Sequence, residues 1–252
     1  METFTKRSAG HDRDVYAVEA AGLRWLAAAG PGSARVATVV AVHDNQIVLE
    51  RLEPARPERA AAEEFGRALA VTHVAGAAAY GQPPDGWTGD GYIGQQPMML
   101  RPTSTWGRFY AEQRMLPYAH RARDLGHLSA TATERVDRVA ERLVAGEFDD
   151  KRPPARIHGD LWSGNLMFTA RAVVLVDPAA HGGHGLTDLA MLHLFGAPQL
   201  ATITAAYAEA AELADGWADL IGLHQLHPLL VHAVSHGPSY GAEAGRIAAR
   251  YA

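Results

Sequence analysis

The stretch "RIHGDLWSGN" (156–165) follows one apolar residue with a histidine, an acid, an amide and two glycines. Such a polar run is hard to bury in an ordinary core. It is either a tight structural turn or a place where charge is handled. Further along the chain, Asp177 comes directly after the apolar segment "VVLV" (173–176). The relation between these two stretches decides between the two interpretations.

The segment "LMFTARA" (166–172) between them has the pattern of a strand and a turn. A hairpin would bring Asn165 and Asp177 together at one end of two strands. An amide oxygen and a carboxylate at that point make a hard oxygen site suited to Mg²⁺. Asp160 would lie nearby as a carboxylate that accepts a proton or orients a hydroxyl. This combination predicts kinase-type phosphoryl transfer; the alternative is a polar turn capped by the Asp160 and Asn165 side chains.

Composition excludes several other classes of protein. The chain has 252 residues, a formal net charge of −5 and no long run of Lys or Arg, which argues against nucleic acid as its main partner. It has no cysteine, so disulfides and thiolate zinc sites are excluded. The N-terminal segment is polar, and no apolar run approaches the roughly 18–20 residues that span a bilayer. We expect a cytoplasmic protein with no membrane partner.

Apolar periodicity predicts an α+β chain in two parts. The small first part contains a helix and two β-branched strands, with a hairpin turn at His43-Asp44-Asn45 and a hinge near residues 50–54. The larger part is mainly helical and includes a long Pro/Gly loop over residues 81–97. The helices are predicted over residues 14–30, 57–79, 105–125 and 131–146 and through most of the chain after Asp188.

Several motifs together give the chain a family resemblance. "HGDLWSGN" (158–165) and "VDPAAHGGHGLTDLAMLHLFG" (176–196), with "EAAGLRWL" (19–26) and "LHQLHPLLVHAVSHG" (223–237), closely resemble the fructosamine kinase (ketosamine 3-kinase) family. This family is a branch of the aminoglycoside-phosphotransferase-like enzymes. The resemblance implies a protein-kinase-like bilobal fold that binds ATP between its lobes. It also implies transfer of the γ-phosphate to a sugar hydroxyl of a fructosamine- or ribulosamine-type substrate, free or protein-linked.

The resemblance divides the chain into a truncated N-terminal lobe over residues 1–53 and a C-terminal lobe over residues 54–252. In the first lobe, Lys6 matches the lysine that contacts the ATP phosphates, and Glu19 matches the helix glutamate that pairs with it. Glu50 to Leu52 match the hinge, whose backbone hydrogen-bonds the adenine edge. Without the resemblance, Lys6 and Glu19 would be interpreted as solvated charges on the surface.

In the second lobe, the resemblance makes Asp160 the catalytic base and Asn165 and Asp177 the Mg²⁺ ligands. Asp188 is expected to have a structural role, accepting hydrogen bonds from the backbone of the catalytic loop. Trp162 either plugs the core beneath this loop or stacks on a sugar ring.

Two departures from the family pattern affect what we expect. His181 and Gly182 replace the usual aromatic pair after D-P-A, so His181 and His184 are candidate substrate contacts. Five residues precede Lys6, so the phosphate-covering loop is expected to be absent. The start site is then misplaced, the nucleotide site is open or activity is lost. The alternatives are therefore a kinase of another amino alcohol or of an aminoglycoside, or a non-catalytic binding module. The oligomeric state stays open.

Two further patterns are discounted as sites. Residues 89–94 match G-x-G-x-x-G, but they follow a loop rather than a strand and Pro97 blocks a helix, so the context of a phosphate loop is missing. His232 and His236 have the spacing of a helical zinc site without its glutamate. We expect histidines of this kind to be core or pocket residues.

Overall fold

The amphipathic segment predicted to be helical over residues 14–30 forms a helix. The computed structural model describes residues 2–7 and 14–252 of the chain. Helix α1 covers Val15–Ala27 and ends before Gly30-Pro31, where a proline cannot continue it. Its buried face includes Ala20, Leu23 and Leu26.

The other elements occur as short groups of strands and groups of helices along the chain. The strands are β1 Thr3–Arg7, β2 Arg35–Val36, β3 Val39–His43, β4 Gln46–Glu50, β5 Gly91–Ile93, β6 Gln96–Met98, β7 Ala155–Ile157, β8 Leu166–Phe168, β9 Val173–Leu175 and β10 His181–Gly183. The helices after α1 are α2 Arg59–Val74, α3 Trp106–Phe109, α4 Leu116–Asp124, α5 Ala130–Val144, α6 Gly185–Phe195, α7 Leu200–Ala210, α8 Ile221–His236 and α9 Pro238–Ala248.

The first lobe is built on a small antiparallel sheet with the strand order β1-β4-β3. The predicted hairpin joins β3 to β4 through the turn at Asp44 and Asn45. Strand β1 pairs with β4 so that Lys6 lies opposite Ile47, a fully buried residue. This register turns the Lys6 side chain towards α1. The predicted small sheet with one helix is confirmed.

One strand of the first part pairs outside that sheet. Strand β2 runs parallel to β9, with Arg35 opposite Val174, and β9 also pairs with β8. Sequence reasoning placed this segment in a two-stranded unit, because nothing in a two-residue strand shows its distant partner. The β2–β9 pairing fixes the first lobe directly to the strand that precedes Asp177.

The Pro/Gly segment over residues 81–97 is not a plain loop. It contains β5 and most of β6, which form an antiparallel hairpin with Tyr92 opposite Pro97. The prediction of a loop was wrong for residues 91–97, because three-residue strands rich in Gly and Pro carry no alternating pattern. The helix predicted over residues 105–125 is present as α3 and α4, joined by a π-helical turn at Tyr110–Met115.

Two buried apolar clusters make up the core. One lies among α3, α4, α5, α8 and α9 of the helical part. The other contains Leu23 and Leu26 of α1 and Ile47 of β4, together with Leu69 of α2 and Leu189 of α6. The second cluster therefore extends across residue 53, where the sequence places the lobe boundary. No helix in the described ranges combines the length and apolar character that crossing a membrane requires.

Candidate active site

A buried carboxylate fixes the loop that carries the H-G-D motif. Asp188, at 0% exposure, accepts hydrogen bonds from the backbone N–H groups of His158 (2.8 Å) and Gly159 (2.9 Å). His73 Nε2 lies 3.0 Å from the same carboxylate, and its Nδ1 contacts the Tyr207 hydroxyl at 2.7 Å. Burial would raise the pKa of Asp188, but the hydrogen bonds and charge of His73 hold it below its usual value. The structural role expected for Asp188 is confirmed.

Glycine is required at the second position of the motif. Gly159 has φ +81°, and a Cβ atom there would lie 2.3 Å from the Ala179 carbonyl oxygen. The adjacent His158 side chain bridges two parts of the site, with Nδ1 accepting from the Asp160 N–H (3.2 Å) and Nε2 2.9 Å from the Val176 carbonyl oxygen. The loop and the end of β9 are thus held at a fixed distance.

The predicted hairpin brings Asn165 and Asp177 together. Strands β8 and β9 pair antiparallel, and the Val176 N–H donates to the Asn165 carbonyl oxygen at 3.1 Å. The Asn165 side-chain nitrogen donates to the Asp160 carbonyl oxygen (2.8 Å) and carboxylate (3.2 Å), and lies 3.4 Å from the Asp177 carbonyl oxygen. Three residues chosen from spacing therefore share one hydrogen-bonded cluster.

A lysine from the first lobe completes the cluster. Lys6 Nζ lies 2.7 Å from the Glu19 carboxylate and also contacts the carboxylate of Asp177. Burial lowers the pKa of Lys6, but the nearby charges of Glu19 and Asp177 more than offset this, so its pKa is raised. Burial also raises the pKa of Glu19, and Lys6 opposes that change. Lys6 is therefore held in its charged form between two acids.

The Asp160 carboxyl has an unusual proton affinity. Burial raises its pKa to about 6, the hydrogen bond from Asn165 opposes this, and the charges of Asp177 and Asp188 raise it further. A carboxyl with a pKa near neutrality is suited to accepting a proton in a reaction.

These groups line one open cleft with a volume of about 740 Å³. Cavities of this size enclose ligands of the size of a nucleotide or a modified sugar. Its polar end is formed by Lys6, Glu19, Asp160, Asn165 and Asp177. Trp162 also lines the cleft and is 42% exposed. Of the two alternatives for this residue, a plug in the core beneath the loop is therefore excluded.

Two candidate substrate residues lie elsewhere. His181 and His184 are 2% and 3% exposed and do not line the cleft. His184 caps α6 by accepting from the Leu186 N–H (3.2 Å), and its other nitrogen lies 3.0 Å from Asp150. The structure does not bring these two candidates to the cleft, because the packing of β10 and α6 buries them, and no sequence pattern reports that burial.

The hinge residues are also outside the cleft that holds Asp160. The Glu50 carboxylate accepts from the Thr38 N–H (3.0 Å) and from Arg35 (2.8 Å), which ties β4 to β2 and to the turn after it. The Arg51 N–H donates to Glu2, whereas the Leu52 N–H has no hydrogen-bond partner among residues 2–7 and 14–252. At the position that sequence reasoning assigned to the hinge, a backbone donor is therefore without a partner in the part of the chain that the structure describes.

Sequence reasoning missed one exposed residue next to the site and part of the lining of the cleft. Phe4 lies two residues before Lys6, on the same face of β1, and is 50% exposed. The alternation of side chains along a strand is the signal that could have found it. Rings from α6, α8 and α9 also line the cleft; His232 and His236 were expected to be core or pocket residues, whereas Phe195 and Tyr240 were missed. Phe195 was missed because it lies far from these histidines in sequence.

Comparisons with known proteins agree with this geometry. The profile of the family described as fructosamine kinase matches residues 1–251. A protein of Lactiplantibacillus plantarum named as a ketoamine kinase is 30% identical over 249 residues, covering 98% of this chain and 86% of its own length.

Comparison with solved structures shows which fold the chain shares. The crystal structure of a protein named as a fructosamine-3-kinase, from Thermobifida fusca, is 44% identical with a TM-score of 0.89, over 98% of this chain and 85% of that one. An ADP-bound aminoglycoside phosphotransferase, 11% identical, superposes with a TM-score of 0.64 over 98% of this chain and 85% of its own, which shows a shared kinase-like fold. The resemblance noted in the motifs is confirmed, and the chain belongs to the fructosamine kinase family.

Proposed function

We propose that the protein transfers the γ-phosphate of ATP to a sugar hydroxyl of a ketosamine of the fructosamine or ribulosamine type, in the presence of Mg²⁺. The observation that carries this proposal is the single cluster of Lys6, Asp160, Asn165 and Asp177 in one cleft. Membership of a kinase family supports the use of ATP, and the names of the relatives support a ketosamine as acceptor. We place this reaction in the cytoplasm.

In this proposal Asp160 accepts the proton of the attacking hydroxyl. Its carboxylate is oriented by the Asn165 amide at 3.2 Å, and its backbone is fixed by His158. A pKa of about 6 leaves it mostly ionised at neutral pH, yet close enough to neutrality to hold a proton briefly. Most of the rate acceleration would come from alignment of the hydroxyl with the phosphate rather than from covalent chemistry.

The residues present fit a magnesium ion. Asn165 and Asp177 line the cleft side by side and offer an amide oxygen and a carboxylate, the donor types that Mg²⁺ prefers. No group of three His, Cys, Asp or Glu side chains in the described ranges is placed to hold a metal ion. This donor set is typical of a metal shared between one or two protein side chains, phosphate oxygens and water. When bound, Mg²⁺ neutralises charge on the phosphates during transfer.

Lys6 and the hinge would hold the nucleotide. The Lys6 ammonium, held by Glu19, faces acidic oxygens in the cleft and would bind phosphate oxygens in the same way. The free N–H of Leu52, next to Glu50 at the end of β4, would donate to the adenine edge. The exposed Phe4 ring lies on the Lys6 face of β1 and would cover the adenine.

The sugar would lie between Asp160 and the exposed ring of Trp162. An indole face beside a transfer site suits the apolar face of a sugar ring. The presence of every polar residue of the cluster supports catalysis over the alternative of a non-catalytic binding module.

The experiment is a measurement of ADP release with MgATP and a synthetic fructosamine. We expect acceptor-dependent ADP release by the unmodified protein, and a sugar phosphomonoester in the ³¹P spectrum of the product. Asp160→Asn should lose at least a hundredfold in kcat, the loss typical of a missing general base, with ATP affinity nearly unchanged. Turnover of the variant at the parent rate would overturn the role of Asp160. Release of ADP without dependence on any ketosamine would overturn the proposed acceptor.

A further inference from the structure

One part of the cleft is lined by aromatic and imidazole rings. The ring cluster consists of Phe195 at the end of α6, His232 and His236 on α8, and Tyr240 on α9. His232 is at its centre, with ring centroids 4.8 Å from Phe195, 5.0 Å from His236 and 5.0 Å from Tyr240. All four residues line the cleft that also contains Asp160, so a single ligand can contact both the ring cluster and Asp160.

Hydrogen bonding sets the character of the central ring. His232 Nδ1 lies 2.7 Å from the carbonyl oxygen of Pro228. A carbonyl only accepts, so Nδ1 carries the proton and Nε2 is left as an acceptor. Burial lowers the pKa of His232, and His236 lowers it further, so this ring is neutral at physiological pH. The ring cluster therefore offers ring faces and one nitrogen acceptor.

Formal charge comes from other residues of the cleft. Among residues 2–7 and 14–252, the charged residues that line it are Lys6, Glu19, Asp160 and Asp177. They are joined to one another or to Asn165 by the contacts described above. The ring cluster contains no carboxylate. A cation bound there would be recognised by ring faces and an imidazole nitrogen, as single ammonium groups are in aromatic sites.

We propose that the ring cluster is the subsite for the amine side of the ketosamine, where it binds the secondary ammonium and the first methylenes attached to it. This inference rests on the proposed function. A sugar hydroxyl held at Asp160 leaves the amine substituent pointing away from the phosphates, and the cleft of about 740 Å³ has room for more than a sugar. The ring cluster then selects acceptors with one ammonium group. Acceptors with several ammonium groups would need carboxylates that it does not contain.

The test compares two acceptors that differ in one atom. The first is the fructosamine made from glucose and n-butylamine, and the second is 1-O-butyl-fructose, in which an ether oxygen replaces the ammonium. The unmodified protein should have a KM about 5- to 10-fold lower for the amine than for the ether, the size of a partly desolvated cation–π contact. His236→Ala should raise the KM for the amine by about 5-fold and remove most of the preference, with the KM for ATP unchanged.

Matched variants separate the loss of ring contacts from a general loss of structure or activity. His236→Phe retains a ring face and should keep the preference for the amine, and Tyr240→Phe should do the same while Tyr240→Ala should not. His43→Ala changes an exposed histidine in the β3–β4 turn and should leave both KM values unchanged.

Three outcomes would overturn the inference. One is a KM for the amine that changes no more in His236→Ala than in His43→Ala. Another is an equal rise for amine and ether, which would mean loss of shape and not of ammonium recognition. The third is no turnover of either acceptor by the unmodified protein, which would overturn the proposed function as well. The first two outcomes, in which both acceptors are still turned over, overturn the inference alone.

Discussion

At the scale of single residues, catalysis needs the ionised form of the Asp160 carboxyl, and folding disfavours that form. Its pKa in the folded protein is raised from 3.8 to about 6 by burial, so its charged form is disfavoured in the fold. Such a group adds stability below the pKa of the unfolded chain, and this stability is lost as the pH rises through the folded pKa. Ionised Asp160 therefore destabilises the protein at the pH where the base must work.

We predict that Asp160→Asn makes the ligand-free protein more stable while removing activity. The full difference between pKa 3.8 and about 6 corresponds to about 3 kcal/mol, and solvent contact of this partly buried side chain reduces it to about 1–2 kcal/mol. Urea unfolding at pH 8 and at pH 4 measures the effect, which should be absent at pH 4. Asp215→Asn, an exposed carboxyl, is the control and should change stability at neither pH. A variant less stable than its parent at pH 8 would contradict the assignment.

The raised pKa of Asp160 also predicts how activity depends on pH. A proton acceptor must be ionised, so kcat/KM for the ketosamine should fall as the pH drops through about 6 and approach a tenfold loss for each further pH unit. Initial rates of ADP release between pH 5 and pH 8 measure this limb. A rate that stays constant down to pH 5 would show that another group, or none, accepts the proton.

At the scale of elements, the catalytic loop depends on an acid that touches no substrate. Asp188 on α6 receives the backbone N–H groups of His158 and Gly159 and the ring of His73 on α2. One carboxylate therefore joins the loop to two helices. Replacing it with an amide puts an N–H donor opposite a backbone donor and leaves one of these groups unsatisfied.

We predict that Asp188→Asn costs about 3 kcal/mol of unfolding free energy at pH 7 and reduces kcat through a displaced loop. Because the pKa of Asp188 is lowered in the fold, its contribution is present above the pKa of the unfolded chain and is lost as the pH falls through the folded value. The difference from the parent should therefore shrink in acid. Chemical denaturation at pH 7 and pH 3 tests this, with Asp215→Asn again as control. Equal stability of parent and variant at pH 7 would contradict the role of Asp188.

Some of these elements could be predicted from the sequence, and others could not. The β8–β9 hairpin was predictable, since apolar strands flank a turn and its two ends carry Asn165 and Asp177. The β5–β6 hairpin was not, because its short strands rich in Gly and Pro carry no alternating pattern. The burial of His181 was not predictable either, because it depends on neighbours that are distant in sequence. Strand β2 was misplaced for the same reason, as its partner is β9.

At the scale of the whole molecule, the two lobes share structure as well as a cleft. Lys6 and Glu19 come from the first lobe, and Asp160 and Asp177 come from the second. A common apolar cluster and the β2–β9 pairing hold these halves together. The boundary at residues 53 and 54 stays a prediction, since the core is continuous across it. Family resemblance could give the fold and the Lys6–Glu19 pair, and only the folded chain could show the contact between Asp188 and His73.

Nucleotide binding across the lobes should stabilise the whole chain. A ligand at about 100 times its Kd adds about 2.7 kcal/mol of stability, which for a chain of this size raises Tm by about 5–10 °C. We predict this shift with MgATP for the parent and for Asp160→Asn. For Asp177→Ala it should be largely lost, because a metal ligand is removed. Thermal unfolding with and without MgATP measures it, and an undiminished shift in Asp177→Ala would contradict the metal assignment.

The most direct measurement is a crystal structure of the protein with Mg²⁺ and a non-hydrolysable ATP analogue. The proposal predicts a metal ion about 2.0–2.1 Å from both the Asn165 side-chain oxygen and an Asp177 carboxylate oxygen. It also predicts Lys6 on the phosphates and the Asp160 carboxylate facing the γ-phosphate across the space for the acceptor. A metal held without Asn165 and Asp177, or a γ-phosphate directed away from Asp160, would contradict the account.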